Sequence, residues 1–467
     1  MSIYGNTPGT VVGGLSPYLT DLIQTGFLER YLEIGLNSTL GYNRLALREE
    51  LTSAAGETIT KSKFGRKKPV TRPLNPAAMS TLDSGLTPSS YPTEQYTFTI
   101  ATYADSADVN LLQAEFLIAD QLRTFAYDNG VQAAQSLDRI AKLKLFAAYD
   151  TGNTFATATG STTSVHVDDI RGFQTVLYNG RPTTVSASTP LNCIEINAST
   201  GQQVQTFTVT GAAADAVNVS IYPSSDPDNF VSDGISGTLT IVATSGPVQG
   251  NALISTQAAT IIRPNSRVTT TTLQATDIIS MGTVFDAVTV LRNNAVPAMP
   301  SGDYECTLSN TSLRQLFADQ DFKVLFAGRD QSPEFRRFDV MSMFGLTFVP
   351  NTEAYQQAPA TDGVTLSVNV ERPIVSGQGT LLRGDSSATQ TWLNHQGVAP
   401  VGSVMLVDGI AQVLRPPIDR LQSTTSLSWM WIGDYAVPTD LTATPSIIPT
   451  ASSAAWKRSA VIQHASS

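Results

Sequence analysis

The sequence predicts an α+β fold, a helix-and-strand body interrupted by a small all-β domain. Three observations carry that expectation. Between Val131 and Tyr149, residues Ala134, Leu137, Ala141, Leu145 and Ala148 recur three or four apart, the apolar stripe of an amphipathic helix. From about Ser186 to Thr272 the chain becomes Thr-, Val- and Ala-rich. Short alternating runs there, such as Gln205–Val209 and Thr238–Val242, are separated by turn signals such as Ser224–Asp228 and Ser245-Gly246-Pro247. Helix-plus-strand texture then resumes, so the β-rich stretch reads as an inserted sandwich or barrel.

Taken in order, residues 1–50 read as an arm with a short helix, in which Leu19, Leu22, Ile23, Phe27, Tyr31 and Ile34 keep helical spacing. The Gly-rich start (Gly5, Gly9, Gly13, Gly14) is of a kind that seldom orders alone, so something is expected to hold it. Residues 52–100 read as a long two-stranded excursion, because Pro73, Pro76, Pro88 and Pro92 discourage central-sheet pairing. Tyr91 to Tyr103 alternates like a strand. From Ala107 a helical pattern is expected, with Leu111, Leu112, Glu115, Phe116 and Ala119 as one turn set. Asn129-Gly130 interrupts it, and a second helix runs from Val131 to about Tyr149, roughly 28 Å long. Asp168–Leu177 reads as a short capped helix. After the β-rich stretch come a helix at Met281–Asn294, a strand at Tyr304–Leu308, a helix at Ser312–Phe317 and a strand at Gly345–Pro350. A hairpin around Val407-Asp408-Gly409-Ile410 and strands at Ser426–Ile432 and Trp456–Ile462 complete the series.

Charge is sparse and uneven. Charged residues make up 15% of the chain, below the roughly 25% usual for soluble domains. Low charge with abundant Ser, Thr, Ala and Val suggests either that neighbouring subunits cover much of the surface or that a β-rich protein has a Thr-rich exterior. The net charge is −10, yet six of the 29 basic residues fall between Lys61 and Arg72 with no acid among them: Lys61, Lys63, Arg66, Lys67, Lys68 and Arg72. Gly65, Pro69 and Pro73 prevent a long helix there, so the run reads as an extended, exposed arm. Three readings apply: contact with an acidic neighbour such as another copy of the chain, contact with nucleic acid, or a solvated loop. A pI near 4.8 argues against the whole molecule binding nucleic acid. A local patch can still meet phosphates.

Chemistry is hard to find. Cys193 and Cys306 sit in apolar, strand-like contexts where a thiol behaves as a small hydrophobe, and two cysteines make no disulfide framework. His166, His395 and His464 are each alone, and no H-E-x-x-H, C-x-x-C, G-x-S-x-G or phosphate-cradling G-x-x-x-x-G-K-[ST] occurs. Gly377-Gln378-Gly379 with Gly384 lacks dinucleotide-binding spacing. Asp226, Asp228 and Asp233 only loosely resemble a calcium loop, since Phe230 takes a ligand position and the glycine is missing. Arg383-Gly384-Asp385 reads as an exposed turn. Spacing does not decide on a glycosidase carboxylate pair, and aromatics at 8% do not favour a sugar cleft. The sequence therefore assigns no catalytic, cofactor-binding or metal-ligating residue, and the expected role is not enzymatic. No signal peptide is visible at Met1–Val12, and no apolar run approaches the ~20 residues of a membrane span, so a soluble protein made in a cytoplasm is expected.

This order of elements resembles the major capsid protein of tailed bacteriophages, the fold named after phage Hong Kong 97. Local texture adds to it. Tyr96–Ala104 with Asp105 and Asp108 is similar to the strand leaving that family's E-loop. Asp303–Leu308 before a capped helix is similar to its axial-domain strand, and Trp456–Val461 to its closing strand. The resemblance implies an N-terminal arm at 1–50, an E-loop at 51–100 and a peripheral domain with spine helix at 101–185. An inserted β-domain would follow at 186–272, an axial domain at 273–400 and a C-terminal return at 401–467. The inserted domain is similar to the extra domain of some short-tailed-phage coat proteins. It further implies a homo-oligomer of hexamers and pentamers in an icosahedral head, with portal, scaffolding or cement proteins as further partners. Double-stranded DNA would be enclosed without sequence-specific binding, and no membrane is involved. The subunit would pass from host cytoplasm to virion, without cofactors. The basic run would be an inter-subunit contact. Two other readings apply: a phage tail or head-decoration protein, and a hydrolase with a β-sandwich accessory module.

Overall fold

The computed structural model describes residues 27–37, 41–51, 58–64, 70–71, 73, 93–110, 118–178, 181–215, 236–256, 258–327, 342–343, 345–357, 368–386, 404–415, 424–438 and 457–466. The fold is mixed α+β. The Gly-rich start, the turn set at 111–116, His395 and the loose calcium-loop motif lie outside the described residues. Two compact units divide the chain, one from Met1–Thr60, Thr97–Leu143 and Leu381–Ala436, the other from Lys61–Tyr96, Lys144–Thr380 and Val437–Ser467.

The first unit is built on a six-stranded sheet. Ala46–Leu51 runs parallel to Leu381–Ser386, which pairs antiparallel with the long strand Thr424–Ala436. That strand also pairs with Ile410–Arg415 and, on ten residues, with Ala101–Asn110. It alternates buried and half-buried residues, putting Thr425, Leu427, Trp429 and Trp431 in the interior. Ala101–Asn110 corrects the expected helix from Ala107: pairing with a buried partner overrides a local helical pattern at the strand's end. A helix covers Ile118–Tyr149, 32 residues without a break. Asn129-Gly130 does not divide it. Gly130 is needed for closeness, since a Cβ there would lie 2.6 Å from the Leu32 carbonyl oxygen. Leu32 belongs to the helix Phe27–Leu36, whose own Gly35 would put a Cβ 2.4 Å from the Tyr127 carbonyl. Two glycines therefore let two helix backbones touch.

The second unit holds two six-stranded sheets. One is antiparallel, in the order Asn153–Phe155, Ala252–Ser255, Leu191–Ile196, Gln203–Ala214, Gly237–Val242, Ser164–Val167. Its inward residues, among them Val165, Val167, Leu191, Cys193, Phe207, Val209, Leu239 and Ile241, form their own core. Two of its strands precede residue 186. Its chain ends meet: Ala259 N–H donates to the Thr151 carbonyl at 3.1 Å, and Ser255 N–H to that of Gly152 at 2.8 Å. The expected helix at Asp168–Leu177 is absent. Thr175–Tyr178 is a strand paired with Arg181–Thr184, and the Asp168 carboxylate accepts the Phe155 N–H at 3.1 Å and the Thr154 hydroxyl instead of capping a helix.

The other sheet is mixed and runs Ile261–Ile262, Ser459–Ile462, Ile374–Ser376, Tyr304–Leu308, Leu346–Pro350, Ser342–Met343. Helices Met281–Asn293 and Asn310–Ala318 start on Ser280 and Ser309, whose side chains accept the Thr283 and Ser312 N–H groups. They pack Met281, Val284, Val288, Leu291 and Leu316 against Cys306, Phe348, Val375, Ala460 and Ile462. All four residues of Ser459–Ile462 are buried, with a neighbouring strand on either side.

Candidate assembly interface

Among the described residues, Thr58–Phe64 and Thr93–Thr99 pair as a sheet of two strands. The sequence explains the shape. Thr-rich alternation favours extended backbone, and the prolines between the strands oppose incorporation into a larger sheet. Along Thr58–Phe64 even-numbered residues are exposed, while Ile59 and Lys61 are half-buried and Lys63 is only 4% exposed. Lys61 and Lys63 each already interact within the chain. Arg66, Lys67, Lys68 and Arg72 lie outside the described residues. Two apolar side chains in this part of the chain are exposed: Phe64, at the end of its strand, is 55% exposed, and Val70, six residues further along the sequence, 92%.

Sequence reasoning missed two charged clusters. In the first unit, Arg383 is not in an exposed turn. It lies in the strand Leu381–Ser386 and is 1% exposed. Its Nε donates to Asp385 at 2.8 Å and its Nη2 to the Asp408 carbonyl at 2.7 Å, while the guanidinium lies 5.5 Å from the Trp431 ring centroid. Trp431 Nε1 donates to the same Asp385 oxygen at 2.8 Å. Asp408 and Gly409 take φ of 55° and 80° between Val407 and Ile410, which pair across the turn. That is the two-residue hairpin Asp-Gly favours, and Arg383 pins its tip. The sequence signal was present, since Leu381-Leu382 before Arg383 marks a buried strand that the Arg-Gly-Asp tripeptide masked.

In the second unit a buried network joins chain segments far apart in sequence. Arg372 Nη1 lies 3.0 Å from Asp150, Gln463 Nε2 donates to Asp150 at 2.7 Å, and Arg263 Nε donates to Gln463 at 2.8 Å. Arg171 bonds Asp169 with two nitrogens and reaches the Tyr355 hydroxyl at 3.3 Å; Tyr355 in turn stacks on Phe146. Burial raises the Asp150 carboxyl, pushes Asp168 up to about 6 and draws the Arg263 guanidinium down to about 10. Nearby, His464 is fully buried. Its Nδ1–H donates to the Ala465 carbonyl at 3.0 Å, leaving Nε2 to accept the Ser312 hydroxyl at 2.9 Å, and burial lowers it to about 4. The C-terminal strand is thus fastened by polar side chains as well as by pairing. Among the described residues no cluster of His, Cys, Asp and Glu could hold a metal ion, and no described helix is long and apolar enough to cross a membrane.

Comparison with protein-family models and with curated proteins finds no match. Solved structures do resemble the chain over most of its length. The capsid of Ralstonia phage GP4 matches with a TM-score of 0.43 at 9% identity, covering 91% of this chain and 87% of that one. The capsid of cyanophage P-SCSP1u gives 0.42 at 10% identity, over 92% and 89%. The capsid of cyanophage Pam1 gives 0.43 at 9%, over 92% and 88%. All three are phage capsids. Identity and TM-scores this low establish no family, and the functional reading rests on the chain's own geometry.

Proposed function

We propose that the chain is the major capsid protein of a tailed bacteriophage, a Hong Kong 97-type subunit that assembles into the icosahedral head around double-stranded DNA. The observation that carries this reading is the two-stranded ribbon. A ribbon of two strands is marginal in water by itself, and this one ends on the exposed Phe64, where the sequence continues into a run of basic residues and the exposed Val70. Such a surface is stable when another chain covers it. In an acidic protein the most abundant acidic surface is a second copy. The long helix, the inserted antiparallel sheet and the strand that returns at Ser459–Ile462 support the same reading.

In this role the subunit is structural rather than enzymatic, and its partners are further copies in hexamers and pentamers, then portal, scaffolding or cement proteins. Lys61, Arg66, Lys67, Lys68 and Arg72 clamp a neighbouring subunit, while Lys63 is buried in its own chain. Negative-stain microscopy of the purified protein tests the proposal, with closed shells or hexameric rings as the expected result. Arg66, Lys67 and Lys68 changed together to Glu should block closure while leaving a folded monomer. Normal shells from that variant would rule out the clamp, and a strict monomer at every concentration would rule out the shell.

A further inference from the structure

Away from the ribbon, the second unit contains a groove of about 650 Å³. It lies between the hairpin turn at Ala198–Gly201 and the segments 265–268 and 271–274. Its size is that of a small organic ligand site, about 300–1,000 Å³, and too large for a bare ion. Ser199, Thr200, Ser266 and Thr271 line it with hydroxyls, Gln274 with an amide and Arg267 with a guanidinium. No carboxylate lines it, although the chain as a whole is acidic.

A nearby acid is spent on scaffolding. Asp277, fully buried, accepts from Asn265 Nδ2 at 2.7 Å, from Arg267 Nε at 2.8 Å and from the Gln274 N–H at 2.8 Å. Gripping Nε fixes the guanidinium and leaves its two terminal nitrogens as a preset fork of donors, the geometry that suits a carboxylate or phosphate. Asn265 and Ser266 both sit in the left-handed region, at φ 54° and 55°. Consecutive non-glycine residues in that region are costly, and such strain collects at ligand clamps. Across the groove the turn is rigid, because Asn197 Oδ1 accepts the N–H groups of Ser199 at 2.9 Å and Thr200 at 3.0 Å. No aromatic residue lines the groove, so recognition there proceeds by hydrogen bonding rather than stacking.

We propose that this groove binds a polyhydroxylated organic anion, a sugar acid or a sugar phosphate, with its oxyanion on Arg267 and its hydroxyls on the Ser and Thr side chains. The inference stands apart from shell assembly. Calorimetric titration of the full chain with sodium glucuronate, glucose 6-phosphate, glucose and inorganic phosphate tests it. One or both sugar anions should saturate a single site, and which of them binds identifies the anion. Glucose and inorganic phosphate should each bind at least about tenfold more weakly, the loss expected for one charge-assisted contact or for the hydroxyl set. Arg267→Gln should abolish binding. Because that change also frees Asp277, Thr200→Trp, on the exposed turn, provides a second obstruction, with thermal unfolding as the check on folding. Absence of saturable binding by both sugar anions would overturn the proposal. So would inorganic phosphate binding as tightly as they do, or unchanged binding by both variants.

Discussion

His464 and Asp168 titrate against each other. His464 is neutral in the folded chain, its pKa lowered to about 4 from 6.5, so the unfolded chain takes up a proton that the folded one refuses. Its contribution is complete above the ordinary histidine pKa and is lost as pH falls through 4, about 3 kcal/mol in all. Asp168 is raised from 3.8 to about 6, so there the folded chain holds the proton more tightly. Its contribution is present below 3.8 and lost as pH rises through 6, again about 3 kcal/mol. Between pH 4 and 6 the two nearly cancel. Asp168→Asn should raise the urea midpoint at neutral pH and uncover a steep acid loss, whereas His464→Gln should leave stability falling toward neutrality. Parallel pH profiles for wild type and both variants would contradict this pairing. Arg383 offers a simpler test. Replacing it with Met strands Asp385 and frees the hairpin tip, and should cost about 3–5 kcal/mol, with Lys recovering only part. A change within measurement error would mean that the hairpin holds itself.

At the scale of elements, backbone closeness outranks propensity. Gly130→Ala should improve an isolated helix by about 1 kcal/mol. In the folded chain it should instead destabilise by about 1–3 kcal/mol, because the neighbour it meets is backbone and cannot rotate aside. Denaturant unfolding compares the two directly. The same contact shows why parts of the sequence misled. Asn129-Gly130 carries a local break signal, but its cause is another helix nearly a hundred residues earlier. Asp168 looks like a cap in the sequence because caps are local, whereas its partners lie on Thr154 and Phe155. Where periodicity and turn chemistry act within a few residues, the sequence was legible: Tyr304–Leu308, the Asp408-Gly409 hairpin and the helix from Met281 stand where they were expected. The ribbon was legible from its prolines and its alternation. The two ion clusters were not, since Arg383 and Asp408 or Asp150 and Arg372 meet only through tertiary structure.

For the whole molecule, the hydrogen bond between Ala259 and Thr151 sets how its parts separate. Removing residues 152–258 and joining the flanks by a short Gly/Ser bridge should leave the helical circular dichroism of the remainder largely intact, since closely spaced ends make an insertion removable. The remainder should still be less stable, because Phe155 leaves Leu273 and Val370 uncovered. Collapse of the helical signal would show that the sheet is integral to the body. The buried strand Ser459–Ile462 has a consequence in time rather than space. Its flanking strands, Ile261–Ile262 and Ile374–Ser376, emerge from the ribosome well before it does. At the usual pace of synthesis the first of them waits on the order of ten to forty seconds with an empty slot beside it. Through that interval the nascent chain has no finished core in its second unit, and the unpaired strand edges beside the empty slot are its surface most open to aggregation.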